Sequence, residues 1–170
     1  MVIFRYHDHM HRRDVDLIDA GELQALGLSG ITTRDKATGT DIFTLDTPIT
    51  ALELARLAEQ RLGVKHARIA GERNKKSTRI APMFGATSNK ADLFANGDIE
   101  IIITGEICEW KFAEYARDAS LLGINKSVVA LGHVGSEREG MKYLSEKISR
   151  ELPSLEVKYF ETDEVYTYTD

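Results

Sequence analysis

The chain has 170 residues, of which 42% are hydrophobic and 29% charged, with a formal net charge of -5. This length suits one compact domain with a buried core, and the acidic balance argues against nucleic acid as a partner, whose binders usually carry a basic patch. Cys108 is the only cysteine, which excludes an internal disulfide, and no segment has the length of a bilayer span or the pattern of a secretory signal, so we expect a cytoplasmic protein.

The predicted elements alternate between strands and helices. Apolar runs predict strands at residues 2–6, 40–45, 66–70, 79–84, 99–104, 127–131 and 155–160. Helical periodicity predicts helices at residues 17–26, 52–62, 90–95, 108–122 and from about 136 to 152. This α/β pattern with βαβ units predicts a mixed, largely parallel sheet with helices packed on it. We expect a single domain over residues 1–170, and a separate N-terminal lobe over residues 1–46 is left open.

Two sequence patterns mark helix starts, and one proline restricts a strand. Thr50-x-x-Glu53, preceded by Thr-Pro, opens the helix at 52–62, which a glycine closes. Ser136-x-x-Glu139 opens the last helix. Pro82 fits the strand at 79–84 only if that strand lies at a sheet edge or the proline lies at a strand end.

Histidines and glutamates follow three of the predicted strands. His133 lies in the turn after the strand at 127–131, and Glu137 is expected at the first position of the next helix. His7 and His11 follow the first strand, and Glu106 follows the strand at 99–104. Ligands of open α/β sheets bind where the carboxyl ends of strands meet, so these groups can converge there. Histidine and carboxylate side chains suit Zn, Fe, Mn or Co.

Each of these residues also has a purely structural interpretation. The segment from His7 to His11 can be a solvated turn, and His133 can donate to a backbone carbonyl in its own turn. Glu137 can be a carboxylate favoured by the helix macrodipole, and Glu106 can cap the helix that follows it. No G-x-S-x-G elbow, Walker loop or G-x-G-x-x-G fingerprint occurs, so serine hydrolase, P-loop and dinucleotide-binding functions lack their loops.

Two segments together resemble a known family. Gly132-His133-x-x-Ser136-Glu137-x-x-Gly140, preceded by an Ile-Thr-Gly-Glu end of an apolar strand, resembles the C-terminal half of the Nif-three-like family. These proteins are also known as GTP cyclohydrolase 1 type 2 homologues or dinuclear-metal-centre hexameric proteins. His7-x-x-x-His11, followed by a helix that ends in Leu26-Gly27-Leu28, is similar to an earlier segment of the same family.

The resemblance implies a metal site. His133 and Glu137 match metal ligands, with Glu137 bridging two ions. His11 stands at the family's aspartate-ligand position, and His7 matches a family histidine that binds or supports the metal. Family members carry an upstream half with a His-His or His-Glu pair, and Trp110 stands where many relatives have a histidine. The resemblance therefore implies either the C-terminal portion of a longer protein or a short variant that holds one ion rather than two.

Two functions are compatible with this resemblance. The first is a divalent-metal-binding protein that acts as a metal-dependent hydrolase on a nucleotide or other small anionic substrate, with Glu106 as its catalytic base or as a support for a ligand. The second is a non-enzymatic oligomeric or regulatory module in which the metal is structural or absent. The family further implies a homo-oligomer, up to a hexamer, and no membrane partner.

Overall fold

The computed structural model describes residues 1–11, 14–36, 38–87, 94 and 97–169. Within these residues, six strands form one sheet in the order β1-β2-β4-β5-β6-β3. In chain order the strands are β1 (Gly30–Asp35), β2 (Thr40–Thr50), β3 (Arg68–Gly71), β4 (Lys76–Thr87), β5 (Ile101–Ile107) and β6 (Ser127–Ala130).

The centre of the sheet is parallel and its flanks are antiparallel. β5 pairs in parallel with β4 and with β6, whereas β1 with β2, β2 with β4, and β3 with β6 are antiparallel. The predicted α/β class with a mixed sheet is confirmed, but the sheet is not largely parallel: among the described strands three pairings are antiparallel and two are parallel, because the β1–β2 hairpin and the edge strand β3 add antiparallel pairs to the parallel centre. The predicted strands at 66–70 and 79–84 both form, as β3 and within β4, and β5 and β6 lie between them in the sheet.

Among the described residues, five α-helices flank the sheet. They are α1 (Asp8–His11), α2 (Leu17–Leu26), α3 (Ala51–Leu62), α4 (Glu114–Leu121) and α5 (Arg138–Glu151). A π-helical turn, Glu109–Ala113, leads into α4, and a 3-10 turn, Val134–Ser136, precedes α5. Within the described part of the chain, every helix is too short or too polar to span a bilayer.

The core lies on both faces of the sheet. In β5, Ile101 and Ile103 pack on one face with α2 and α3, while Ile102 packs on the other with Phe112 and α4. Alternate side chains of a strand point to opposite faces. A strand buried on both faces therefore needs a continuous apolar run, as the central parallel strands of α/β sheets have.

Two predicted strands, at residues 2–6 and 155–160, are wrong. Neither segment pairs with any strand that the structure describes, and the side chains of Val2 and Phe4 are exposed. Their β-branched and aromatic residues fit a pleated, half-buried surface, but a strand also requires a neighbouring ladder. The predicted helix at 90–95 lies outside the described residues except for Phe94, which is helical and buried.

The boundary between β2 and α3 also differs from the prediction in one respect. β2 continues to Thr50, so the Thr-Pro pair at 47–48 belongs to the strand and not to the helix start. The predicted capping box is confirmed: the Glu53 N–H donates to Thr50 Oγ1 at 3.0 Å, and the Thr50 N–H donates to Glu53 Oε2 at 2.8 Å.

Pro82 lies within β4, beyond the last residue that pairs with β2, so its missing N–H interrupts no β2 pairing.

Candidate functional site

A cavity of about 420 Å³ lies at the carboxyl end of β4. It collects residues from the N-terminal helices, the β1–β2 hairpin, the end of β4 and the turn before α5. All four predicted metal ligands line it: His7, His11, His133 and Glu137. The four side chains therefore face one cavity, and their assignment as metal ligands stays a prediction.

His133 lies between two carboxylates. Its Nδ1 is 2.5 Å from Glu106 Oε1, and its Nε2 is 3.4 Å from Glu137 Oε2. When Nδ1 carries the proton and donates it to Glu106, Nε2 presents its lone pair on the side of Glu137 and the cavity. Metal-binding histidines commonly donate their other ring N–H to a carboxylate, which fixes the ring and raises its basicity. Glu106 therefore stands where such a supporting carboxylate belongs.

Gly85 allows Glu137 to lie against the end of β4. The backbone of Gly85 has a φ of +76°, a left-handed conformation that side chains disfavour. A Cβ at this position would overlap Glu137 Oε1 and would lie 3.7 Å from His133 Nε2. The register of β4 against β5 shifts between Met83 and Ala86, which brackets this glycine. The irregular strand end therefore makes room for the carboxylate.

The predicted capping box at Ser136 does not form. Ser136 is fully buried, and its hydroxyl accepts the Gly85 N–H at 3.0 Å and donates to the His133 carbonyl at 2.9 Å. It belongs to the 3-10 turn, and α5 begins two residues later, at Arg138. Glu137 is the N-cap residue rather than the first helical residue, and its side chain caps no N–H. The Ser136 hydroxyl is thus used to join the turn to β4.

His11 has a supporting carboxylate that the sequence did not reveal. Its Nδ1 is 2.7 Å from Asp16 Oδ2, while Asp16 Oδ1 accepts the Ile18 N–H at the start of α2. The ring of His7 lies 5.0 Å from that of His11, edge to face, and its Nδ1 contacts Asp8 at 2.7 Å. Asp16 precedes an apolar helix, so the sequence could have indicated its capping role but not its contact with His11.

Arg34 and Asp41 were also missed. They face each other across the β1–β2 hairpin at 3.3 Å, and both line the cavity. β1 was not predicted because its sequence, Gly-Ile-Thr-Thr-Arg-Asp, has no alternation of apolar residues, and none of these residues is buried. Without that strand, the sequence offered no reason to place Arg34 near the histidines.

The donor set suits a divalent ion only in part. Imidazole nitrogens and carboxylates are the ligands that Zn and related ions prefer. Among the described residues, however, no group of three His, Cys, Asp or Glu side chains is close enough to hold an ion. His133 and Glu137 together offer two neighbouring donors, and a site usually needs about three protein ligands. A third would have to come from another cavity residue after a side-chain movement.

The fold and this cavity define an α/β protein with a histidine- and carboxylate-lined site at the carboxyl rim of a mixed sheet. The chain belongs to the Duf34/NIF3 (NGG1p interacting factor 3) family, whose model matches residues 15–165. The resemblance to the Nif-three-like family that the sequence motifs indicated is thereby confirmed. A search of curated proteins finds no match to the chain.

Solved structures share the fold. A protein named ybgI, of unknown function, is 24% identical with a TM-score of 0.65, and the match covers 86% of this chain and 56% of that one. A Bacillus cereus protein related to NIF3 is 24% identical with a TM-score of 0.54, covering 76% and 36%. The Staphylococcus aureus hypothetical protein SA1388 is 20% identical with a TM-score of 0.60, covering 76% and 37%. The chain thus spans about half or less of the length of these proteins.

Proposed function

We propose that this chain binds a divalent metal ion in the cavity and uses it to hydrolyse a small anionic substrate. The observation that carries the proposal is the alignment of Glu106, His133 and Glu137. A carboxylate holds one ring nitrogen of His133, and the other nitrogen points toward a second carboxylate at 3.4 Å. A histidine that only satisfied its own turn would not require both carboxylates.

The residues would have distinct roles. His133 and Glu137 would hold the ion, with His11 as the third donor and His7 beside it. Glu106 would keep the proton on Nδ1 of His133, which makes it a positioning residue more readily than a catalytic base. A bound ion would lower the pKa of a coordinated water toward ~7 and so supply hydroxide near neutral pH.

The charges around the cavity favour a bound cation, and an anionic substrate would need that cation. Asp16, Asp19, Asp41 and Glu137 line the cavity, and Arg34 is the guanidinium among its described lining residues. The carboxylates would repel an anion unless a metal ion offset them. Arg34 has a planar fork of donors, which suits carboxylate or phosphate oxygens.

Elemental analysis tests the metal. Protein purified without chelator is expected to retain Zn, Fe, Mn or Co, and His133→Ala is expected to lose most of it because one of about three donors is removed. His9→Ala is the matched control, since His9 belongs to α1 and stacks on Tyr6 but does not line the cavity. A wild-type protein without metal, or equal metal in His133→Ala and the wild type, would contradict the proposal.

A second candidate function is a self-associating module, and β1 favours it. This strand pairs only with β2 among the described strands, and Ile31 on it is 68% exposed. A free strand edge is a ready site for pairing with another chain. Light scattering, metal content and a phosphoester hydrolysis assay together separate the two candidates. A metal-free oligomer without hydrolytic activity favours the module. A metal-loaded protein that hydrolyses the phosphoester favours the enzyme.

A further inference from the structure

Helix α5 begins without a cap of its own. Its N-cap residue, Glu137, makes no side-chain hydrogen bond to the first turn, the contact that Ser, Thr, Asp or Asn usually supplies at this position. The Glu137 carboxylate instead lies against Gly85 and near His133. The backbone N–H groups in the first turn of α5 therefore need acceptors from outside the helix.

One acceptor comes from a different helix. Glu22 of α2 is fully buried, and its Oε1 accepts the Gly140 N–H in the first turn of α5 at 3.0 Å. Its Oε2 is buried with no hydrogen-bond partner among the described residues. A carboxylate at a helix N-terminus is also favoured by the helix dipole.

Two glycines bring the helices close enough for this contact. A Cβ on Gly21 would lie 2.6 Å from Gly140 Cα, and a Cβ on Gly140 would lie 2.6 Å from Ile18 Cα. The backbones of α2 and α5 therefore touch where they cross. At this separation the Glu22 side chain, one residue beyond Gly21, reaches the first turn of α5.

Packing alone does not account for a glutamate at this position. Burying a carboxyl group is unfavourable unless it is hydrogen-bonded, and burial raises the pKa of Glu22 to about 7 while the Gly140 N–H opposes the rise. A leucine would fill similar space at the α2–α5 contact without that cost. The acceptor function of the side chain is what distinguishes glutamate from leucine here.

We propose that Glu22 is a positioning residue for the candidate site: it caps α5 from α2, which leaves the Glu137 carboxylate free to face His133 and a ligand. The inference rests on the proposed metal-binding function for its second half. The cap itself does not depend on a metal.

Two substitutions separate the acceptor from the volume. Glu22→Gln keeps a carbonyl oxygen in place, whereas Glu22→Leu fills the space without an acceptor. Glu146→Gln and Glu146→Leu, on the exposed side of α5, are the matched controls. Hydrogen exchange at the Gly140 amide measures the strength of the cap in metal-free protein. A titration with Zn²⁺ alone measures an affinity that depends on whether the Glu137 carboxylate is free to bind.

Glu22→Leu is expected to speed exchange of the Gly140 amide by about fivefold to tenfold, the usual size of a lost cap, and to weaken Zn²⁺ binding by about tenfold or more, as loss of a supporting group does. Glu22→Gln is expected to stay within about twofold of the wild type in Zn²⁺ affinity, because an acceptor remains. Its Gly140 exchange is expected to stay within about twofold at pH 5, where Glu22 is protonated and uncharged like glutamine. If Glu22→Leu does not fold, Glu22→Asp is the substitute, since its shorter side chain keeps the acid but not the reach.

The outcomes distinguish the two proposals. Unchanged Gly140 exchange in folded Glu22→Leu overturns the cap. Faster exchange with unchanged Zn²⁺ affinity overturns the positioning role and leaves Glu22 purely structural. If the wild type binds no Zn²⁺ while exchange still responds to Glu22→Leu, the metal function and the positioning role both fail and the cap stands.

Discussion

At the scale of single residues, the contact between Glu106 and His133 decides how the imidazole is presented. Glu106 lies near the end of β5 and is mostly exposed, so its carboxylate gains little from burial. Its 2.5 Å contact with Nδ1 instead fixes which nitrogen of His133 is available to a ligand. A charged acceptor also makes that nitrogen more basic, and a stronger base binds metal more tightly.

Removing the carboxylate of Glu106 should therefore weaken the proposed metal binding without removing a ligand. We expect Glu106→Ala to lower Zn²⁺ affinity by about 10- to 100-fold, and Glu106→Gln to lie between it and the wild type because an acceptor remains without charge. Glu109→Gln is the control, since Glu109 is exposed and pairs with Arg68 away from the cavity. Calorimetric titration measures the difference, and equal affinity in all four proteins would refute the role.

Gly85 gives a second prediction at this scale. An alanine there must adopt the left-handed φ and must also displace the Glu137 carboxylate. Gly123→Ala is a matched control, because Gly123 has a similar φ of +79° and no atom of the described residues lies within 4 Å of its Cβ position. We expect backbone strain to lower the free energy of unfolding of Gly123→Ala, measured in urea, by about 1–2 kcal/mol. We expect Gly85→Ala to lose more of this free energy and to bind less metal. Equal losses would mean that Glu137 moves aside freely.

At the scale of elements, α5 depends on side chains from outside its own sequence. Its first turn is capped by Glu22 of α2, and the turn before it is tied to β4 by Ser136. The buried acid at the α2–α5 crossing gives the stability of the fold a pH dependence. Because its pKa in the folded protein is about 7 and its usual value is 4.5, the folded state binds this proton more tightly than the unfolded state does.

The stabilising contribution of protonated Glu22 is thus complete below about pH 4.5 and is lost as the pH rises toward 7. Glu22→Gln stays neutral at every pH. We therefore compare the free energy of unfolding of Glu22→Gln with that of the wild type, measured by urea unfolding at pH 5 and at pH 8. We expect this difference to shift in favour of Glu22→Gln by about 2–3 kcal/mol as the pH rises from 5 to 8. Parallel pH curves for the two proteins would show that the acid is not as buried in solution as its packing indicates.

The two S/T-x-x-E patterns show what a sequence can and cannot reveal about an element. Thr50 ends an extended strand, with φ -90° and ψ 158°, and its hydroxyl is free to cap, so the box forms. Ser136 has the same pattern, but its hydroxyl is taken by Gly85 and the His133 carbonyl. The pattern records which donors and acceptors are available locally. It does not record that a distant strand competes for them.

The same distinction applies to the site. The i, i+4 spacing of His133 and Glu137 after an apolar strand is local information, and it was enough to predict that they approach each other. Asp16 and Arg34 reach the cavity through α2 and through a hairpin whose outer strand has no apolar face. Their roles depend on tertiary packing, which no short pattern in the sequence carries.

At the scale of the whole molecule, the last segment of the chain returns to the candidate site. After α5, residues 152–169 form neither helix nor strand, yet they run back to the start of that helix. The hydroxyl of Tyr159 donates to the Arg138 carbonyl at 3.3 Å, and the ring of Tyr168 lies 4.6 Å from that of His66. Glu164 packs beside Gly132 and Gly135, next to the His133 turn. Side-chain contacts hold this segment where a strand ladder would otherwise do so.

Arg138 is the centre of those contacts, and it provides the final prediction. Its guanidinium reaches Glu161 at 2.9 Å and Glu164 at 3.2 Å, and its side chain is only 17% exposed. Because the segment lacks backbone pairing, Arg138→Ala should release it locally while the sheet and helices stay folded. Lys158, which is exposed, then becomes a better trypsin site, and we expect cleavage there to be about fivefold faster, in line with the loss of a partly buried ion pair.

Arg150→Ala is the control for that experiment, since it also removes one arginine from α5, but at an exposed position. High salt should speed cleavage of the wild type and of Arg150→Ala toward the rate of Arg138→Ala, because it screens the ion pairs. It should have little effect on Arg138→Ala itself. If cleavage at Lys158 is equally slow in all three proteins, the tyrosine contacts hold the segment, and the two ion pairs of Arg138 contribute nothing measurable to holding it.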